Sequence, residues 1–278
     1  MPPDFTLAAF ADLCQRAAHL RVMPVADYLQ IAPCPPFVVL RFDVDYREAF
    51  AIRLAQLLAV ERLRGTFYFR HHATGFDWSA IDTIAALGHE IGYHYETLDR
   101  CGGDFEAASA QFLADVETLR AHGVEVRTVA AHGSPPVAAT YAGNLDLLRA
   151  DPSLLSRAGL RGDAVASVRF EQVTYFSDAG WCWRRCDGTP PGVDPSPSSI
   201  ADLLDRLAQP GAAIYVNIHP QQWYARAKNM RYFRWRNRIG MRVVGVARAI
   251  RQAATGREAA ASPRRPGTHS SPPDRAGN

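Results

Sequence analysis

Between residues 37 and 220 short apolar runs alternate with amphipathic stretches, the strand and helix rhythm of a parallel sheet. The runs Phe37–Asp45, Thr66–Arg70, Glu90–His94, Thr128–His132, Val173–Asp178 and Ala212–His219 read as strands. Helical spacing falls between them, over Arg47–Arg64, Trp78–Leu87, Asp104–His122, Asn144–Arg149 and Ile200–Leu207. Each fits a crossover that returns the chain for another parallel strand. Gly65, Gly88, Gly123 and Gly211 stand where such helices stop before the next strand. The stretch from Asp151 to Phe170 is irregular and has room for one more unit. The pattern predicts an α/β fold forming a barrel or nearly closed barrel. Residues 1–32 precede it and read as one or two helices packed on the outside.

Alternation within the strands sorts the side chains into two faces. Leu40, Phe42 and Val44 share one face of the first strand, leaving Arg41, Asp43 and Asp45 on the other. At about 3.3 Å per residue, the two carboxylates lie roughly 7 Å apart along one edge. Thr66, Tyr68 and Arg70 oppose Phe67 and Phe69 in the second strand; Tyr215, Asn217 and His219 oppose Ile214, Val216 and Ile218 in the last. With the apolar faces on the helices, the polar ones converge on the mouth.

The C-terminal ends of the strands, where parallel barrels carry their chemistry, are unusually polar. They read Asp43-Val44-Asp45, Arg70-His71-His72, His94-Tyr95-Glu96, His132-Gly133-Ser134, Ser177-Asp178 and His219-Pro220. Two carboxylates aimed into one low-dielectric mouth repel and call for a cation. Histidines ending neighbouring strands make a divalent metal the economical one, because carboxylate oxygen and imidazole nitrogen suit Zn²⁺ and similar ions. His219 is placed to give or take a proton near neutral pH. His89 falls on the opposite strand face from His94 and reads as structural, while His71 and His72 begin a loop and read as solvated.

Composition refines this picture in two ways. A chain of 278 residues with 47% hydrophobic and 21% charged residues excludes a fibrous or wholly disordered protein and suits one barrel with a tail. The net charge of +3 conceals a segregation: ten of the 31 basic residues lie between Gln221 and Arg257, where there is no Asp or Glu. The remainder carries 21 basic against 28 acidic residues. A basic arm therefore follows an acidic body, both within a barrel region of residues 33–255. Residues 256–278, rich in Pro, Arg, Ser and Gly, cannot bury enough surface to order themselves. No run is apolar enough to span a membrane and no secretory pattern opens the chain, so a cytoplasmic protein is expected. The five scattered cysteines fit reduced thiols, and Cys182 and Cys186 have no second pair for a zinc knuckle.

The blocks FDVDY (42–46), GHEIGYHYE (88–96) and NIHP (217–220), in this order on this rhythm, resemble the polysaccharide deacetylases of the NodB-homology group, carbohydrate esterase family 4. The resemblance covers about residues 37–220. It implies a distorted (β/α)7 barrel that removes acetyl groups from N-acetylated sugars or polysaccharide intermediates with a divalent metal, most often Zn, with Co or Ni as alternatives. It also implies metal-activated water, Asp43 as general base, Asp45 and His94 as ligands, His219 as general acid, and Asp178 in YFSDAGW (175–181) orienting His219.

Two positions depart from that pattern. Leu98 stands where the family has a second His, and VAAHGSP (129–135) lacks the Arg that tethers the catalytic Asp. Such a chain is similar to a divergent branch with HYE and HGSP in place of the second His. Either His132, which is favoured, or Glu96 is expected to complete the ligand set. Arg41 or Arg70 is expected to neutralise Asp43, with Arg70 preferred for its height. The alternative to an enzyme is a catalytically inactive glycan-binding barrel. The basic arm, with aromatics interleaved, suits an anionic membrane surface or a lipid-linked glycan, or packing on the acidic barrel; nucleic acid is not expected.

Overall fold

All six expected strands form, each within a residue of its predicted bounds, because each is a buried apolar run closed by a turn residue. In chain order the strands are β1 (Arg21–Met23), β2 (Phe37–Val44), β3 (Thr66–Phe69), β4 (Glu90–Tyr95), β5 (Thr128–Ala131), β6 (Gly162–Asp163), β7 (Thr174–Ser177), β8 (Arg184–Asp187), β9 (Ser196–Pro197) and β10 (Ala213–Ile218). The helices are α1 (Leu7–Ala17), α2 (Val25–Ile31), α3 (Glu48–Val60), α4 (Trp78–Ala86), α5 (Thr97–Arg100), α6 (Phe105–Ala121), α7 (Asp146–Ala150), α8 (Leu154–Arg157) and α9 (Ile200–Leu207). This computed structural model describes residues 4–133 and 141–225, all within one unit, Met1–Met230. The basic arm from Arg226 on, the 256–278 tail, and Ser134 and Pro135 of the HGSP block lie outside the described residues.

The fold is α/β, with one large sheet in the order β6-β5-β4-β3-β2-β10-β7-β8-β9. Strands from β6 through β7 are parallel, while β8 and β9 add on antiparallel. Among the described residues the sheet does not close, yet it curls far enough for its two sides to touch. The Tyr215 hydroxyl of β10 donates to the Ala164 carbonyl just past β6 at 3.0 Å. This is a strongly distorted barrel, open between β6 and the β8–β9 hairpin.

Alternation places the residues as expected. Every residue of β2 is buried, since one face meets helices and the other the interior. On the outer side Phe42 stacks on Phe67 at 4.3 Å and takes the edge of Phe10 from α1 at 6.0 Å. His89 is buried behind them, its Nε2–H donating to the Ala55 carbonyl of α3 at 3.0 Å. On the inner side Phe37, Val39, Tyr68, Ala130, Tyr175 and Tyr215 form an apolar plug with Tyr28, Val168 and Phe170. The plug fills the lower part of the barrel and leaves the upper ends of the same strand faces to polar side chains.

Three features differ from the sequence reading. The N-terminal segment contributes a strand: β1 pairs in parallel with the first residues of β2, below the point where β3 begins its own pairing at Arg41. The Cys186 region forms β8 through backbone pairing that its sequence RRCD does not advertise, whereas the irregular stretch before Phe170 supplies in β6 the further strand it had room for, only two residues long. His71 is not a solvated loop residue. Its Nδ1 lies 2.6 Å from Asp115 Oδ1 and its ring stacks on Phe76, tying the loop after β3 to α6.

Gly92 on β4 is required by the plug. A Cβ there would lie 2.4 Å from the Tyr68 ring, which is fully buried and hydrogen-bonded through its hydroxyl to Thr128 at 2.8 Å. Gly92→Ala is therefore expected to destabilise the protein by about 1–3 kcal/mol through overpacking. Urea denaturation monitored by circular dichroism reads this, and an unchanged midpoint would show that the ring can move aside.

Candidate active site

The inner face of β2 emerges from the plug at Arg41 and Asp43, both 3% exposed. Arg41 grips the Asp43 carboxylate with two hydrogen bonds, Nε to Oδ1 at 2.7 Å and Nη2 to Oδ2 at 2.9 Å. The guanidinium also sits over the Tyr68 ring, 5.7 Å from its centroid. From adjacent β10, Asn217 Nδ2 donates to Asp43 Oδ2 at 3.0 Å. Burial alone would push the Asp43 carboxyl up, but the Arg41 charge, helped by His94 and His219, holds it below the usual carboxylate range.

The expectation that Arg70 neutralises Asp43 is corrected here. Register decides it: Asp43 lies opposite Tyr68, so Arg70 emerges one pair higher, level with Asp45. Arg70 ion-pairs with Glu96 and donates to the Asp45 carbonyl at 3.4 Å. Arg41, two residues before Asp43 on the same face of one strand, takes the role instead.

Asp45, His94 and His132 converge, with one donor atom from each lying within 4.8 Å of the others. Asp45 Oδ1 is 3.4 Å from His94 Nε2 and 3.5 Å from His132 Nε2. His94 Nδ1 is 2.9 Å from the Ala130 carbonyl, which can only accept, so Nδ1 carries the proton. In the neutral ring Nε2 then presents a lone pair to a carboxylate oxygen. His132 also turns its Nε2 toward Asp45, while its Nδ1 lies 3.3 Å from Glu96 Oε2, an ion-pair distance without hydrogen-bond geometry. Asp45 Oδ1 is buried without a hydrogen-bond partner. With both rings presenting Nε2 lone pairs, three acceptors would face one another and call for a cation between them. Donors about 2.1 Å from a tetrahedral ion stand about 3.4 Å apart, so the two carboxylate–imidazole distances fit a divalent metal. Glu96 sits behind His132, clamped by Arg70, in the position of a carboxylate that orients a ligating imidazole.

His219 ends β10 on the other side of Asp43, its Nε2 3.9 Å from Asp43 Oδ2. Asp178, fully buried just past β7, accepts from both the His219 backbone N–H at 2.9 Å and its Nδ1 at 2.7 Å. Burial opposes a charge on the ring, yet the Asp178 hydrogen bond and charge, with Asp45 and Asp43 beyond, raise its pKa to about 9. Nε2 is thus left as a proton-bearing nitrogen facing the mouth.

Two polar residues in this arrangement carry no role in the sequence reading. Asn217 was visible as an inward residue of the last strand, but its partner was not. Gln221 lies on a single 3₁₀ turn, Pro220–Gln222, whose geometry carries its Nε2 to 2.7 Å from Asp45 Oδ2. That contact spans the whole barrel sequence, and no local signal announces it.

No protein-family model matches the chain, and no curated protein matches it. Among solved structures it is similar to a CE4 family pseudoenzyme from Bacillus anthracis, at 16% identity over 66% of this chain and 54% of that one, TM-score 0.41. A mutant of that pseudoenzyme with restored enzymatic activity aligns at 12% identity over 75% and 63%, also with TM-score 0.41. A family 4 carbohydrate esterase from Bacillus anthracis aligns at 13% identity over 75% and 76%, with TM-score 0.37. The chain spans between half and two-thirds of the length of the first two. Likeness at this level carries no information on activity.

The His219–Asp178 pair makes a signed prediction. With the folded pKa at about 9 against an ordinary 6.5, its contribution to stability is complete below pH 6.5 and is lost as pH rises through about 9. Asp178→Asn should move the His219 midpoint back toward 6.5, read from its imidazole signals by NMR, and flatten that part of the stability profile. A midpoint unmoved by the substitution would assign the raised value to another source.

Proposed function

We propose that the protein is a metal-dependent hydrolase that removes an acetyl group from an N-acetylated sugar or polysaccharide. The observation that carries this reading is the meeting of Asp45 Oδ1 with two imidazole Nε2 atoms, beside an ionised Asp43 and a protonated His219. The resemblance of the FDVDY, GHEIGYHYE and NIHP blocks to carbohydrate esterase family 4 points the same way.

Asp45, His94 and His132 would hold the ion, most economically Zn²⁺, with Glu96 fixing the His132 tautomer through its contact with Nδ1. When bound, the ion supplies polarisation of the acyl carbonyl and lowers the pKa of a nearby water. Asp43, held in place by Arg41 and Asn217, accepts the proton of the attacking water as the new C–O bond forms. His219 delivers the Nε2 proton to the amide nitrogen as the C–N bond breaks, leaving acetate and a free amine. Asp178 stabilises the imidazolium before that transfer and keeps the remaining proton on Nδ1. The two proton-transfer groups stand side by side, which suits one acyl centre served by both.

Metal analysis of the purified protein is expected to find one divalent ion per chain, lost in His132→Ala and held about 10–100-fold more weakly in Glu96→Ala. Acetate release from N-acetylglucosamine oligomers is expected to fall about 10²–10⁴-fold in Asp43→Asn, measured by coupled assay. A stoichiometric metal with glycan binding but no acetate release would favour the non-catalytic glycan-binding barrel. Absence of metal after incubation with Zn²⁺, Co²⁺ and Ni²⁺ would overturn the reading.

A further inference from the structure

The carboxylate of Asp178 is held from both ends. One oxygen, Oδ1, serves His219; the other, Oδ2, accepts from the indole Nε1–H of Trp223 at 2.8 Å. Trp223 follows His219 by four residues, and the intervening turn brings it back beneath Asp178 through Gln222 N to His219 O and Trp223 N to Pro220 O, both 3.0 Å. The indole is fully buried.

What holds the indole comes largely from the other end of the sequence. Phe5 and Phe10 meet it at ring-centroid distances of 5.8 and 5.4 Å, and Trp183 at 6.2 Å. Backbone bonds complete the clamp, Tyr224 N to Phe5 O at 2.9 Å and Leu7 N to Tyr224 O at 3.1 Å. Phe5 itself has φ 63°, a left-handed conformation costly for an aromatic residue, and its ring lies among Trp181, Trp183 and Trp223. A carboxylate bonded on one side only can turn about its Cβ–Cγ bond. With a rigid donor on the second oxygen, Asp178 keeps Oδ1 toward His219.

We propose that Trp223 is a positioning residue for His219, acting through Asp178, and that the N-terminal residues around Phe5 hold it in place. The proposal rests on the hydrolase reading only for its catalytic consequence, because the orientation of His219 is measurable without substrate. The acidic groups facing His219 are Asp178 past β7 and, from β2 and its end, Asp43 and Asp45; the Trp223 substitution leaves all three in the chain.

The test is Trp223→Phe in the full chain, which keeps an aromatic ring and removes the donor together with part of the indole's bulk. ¹⁵N NMR is expected to show the neutral His219 losing its Nδ1–H preference and its titration midpoint falling by about half a unit or more. With N-acetylglucosamine oligomers, kcat is expected to fall about tenfold with KM nearly unchanged and the basic limb displaced to lower pH. Phe5→Ala should reproduce the NMR change in part and Phe5→Leu should restore it, which provides a second readout if Trp223→Phe folds poorly. A folded Trp223→Phe or Phe5→Ala protein with the wild-type tautomer and midpoint would overturn the proposal. If the NMR change appears while the wild-type protein releases no acetate, the hydrolase reading fails and the positioning role stands.

Discussion

Two carboxylates on one strand, Asp43 and Asp45, have to stay ionised in a mouth built on an apolar plug, and much of the upper barrel is arranged around that constraint. An uncompensated charge at a site as buried as Asp43 costs several kcal/mol, enough to unfold a marginal domain or protonate the group. Arg41 resolves this for Asp43 with a bidentate pair, supplemented by Asn217 from the next strand. The guanidinium is well suited, since its flat fork matches the carboxylate and its face rests on Tyr68.

Asp45 is treated differently, and the difference separates the two carboxylates by function. Its Oδ2 takes one amide donor, Gln221, while Oδ1 has no hydrogen-bond partner and faces the Nε2 atoms of His94 and His132. One carboxylate thus takes three hydrogen bonds and keeps one acceptor site for a proton, and the other keeps an oxygen with no hydrogen-bond partner. Behind the open oxygen the Ala130 carbonyl fixes the His94 ring, and Glu96, clamped by Arg70, stands 3.3 Å from His132 Nδ1. On the far side His219 and Asp178 form a separate pair, anchored by Trp223.

Much of this was legible in the sequence because strand alternation is local. The apolar face of β2 had to be Leu40, Phe42 and Val44, so Arg41, Asp43 and Asp45 had to point together, and the ends of β4, β5 and β10 followed the same rule. The choice between Arg41 and Arg70 was not local. It turns on β3 pairing with β2 in a register that sets Asp43 against Tyr68; a two-residue offset would move Arg70 to another level of the mouth, and a one-residue offset would turn it to the other face.

His132 and Glu96 show the same division. Both were recognisable as candidates because both end inward-facing strand positions, but which of them meets Asp45 depends on β5 lying beside β4 with Ala130 opposite His94. Gln221, Trp223 and Phe5 were beyond reach for a further reason. Their partners are some 45 to 218 residues away and are met through a turn and a chain end, where no periodicity constrains direction. The sequence by itself determined the α/β class, the strand faces and the residues available to the mouth, because those follow from burial at a period of two. Only the tertiary structure decided which charge answers which, because strand register and loop return set distances that no single segment encodes.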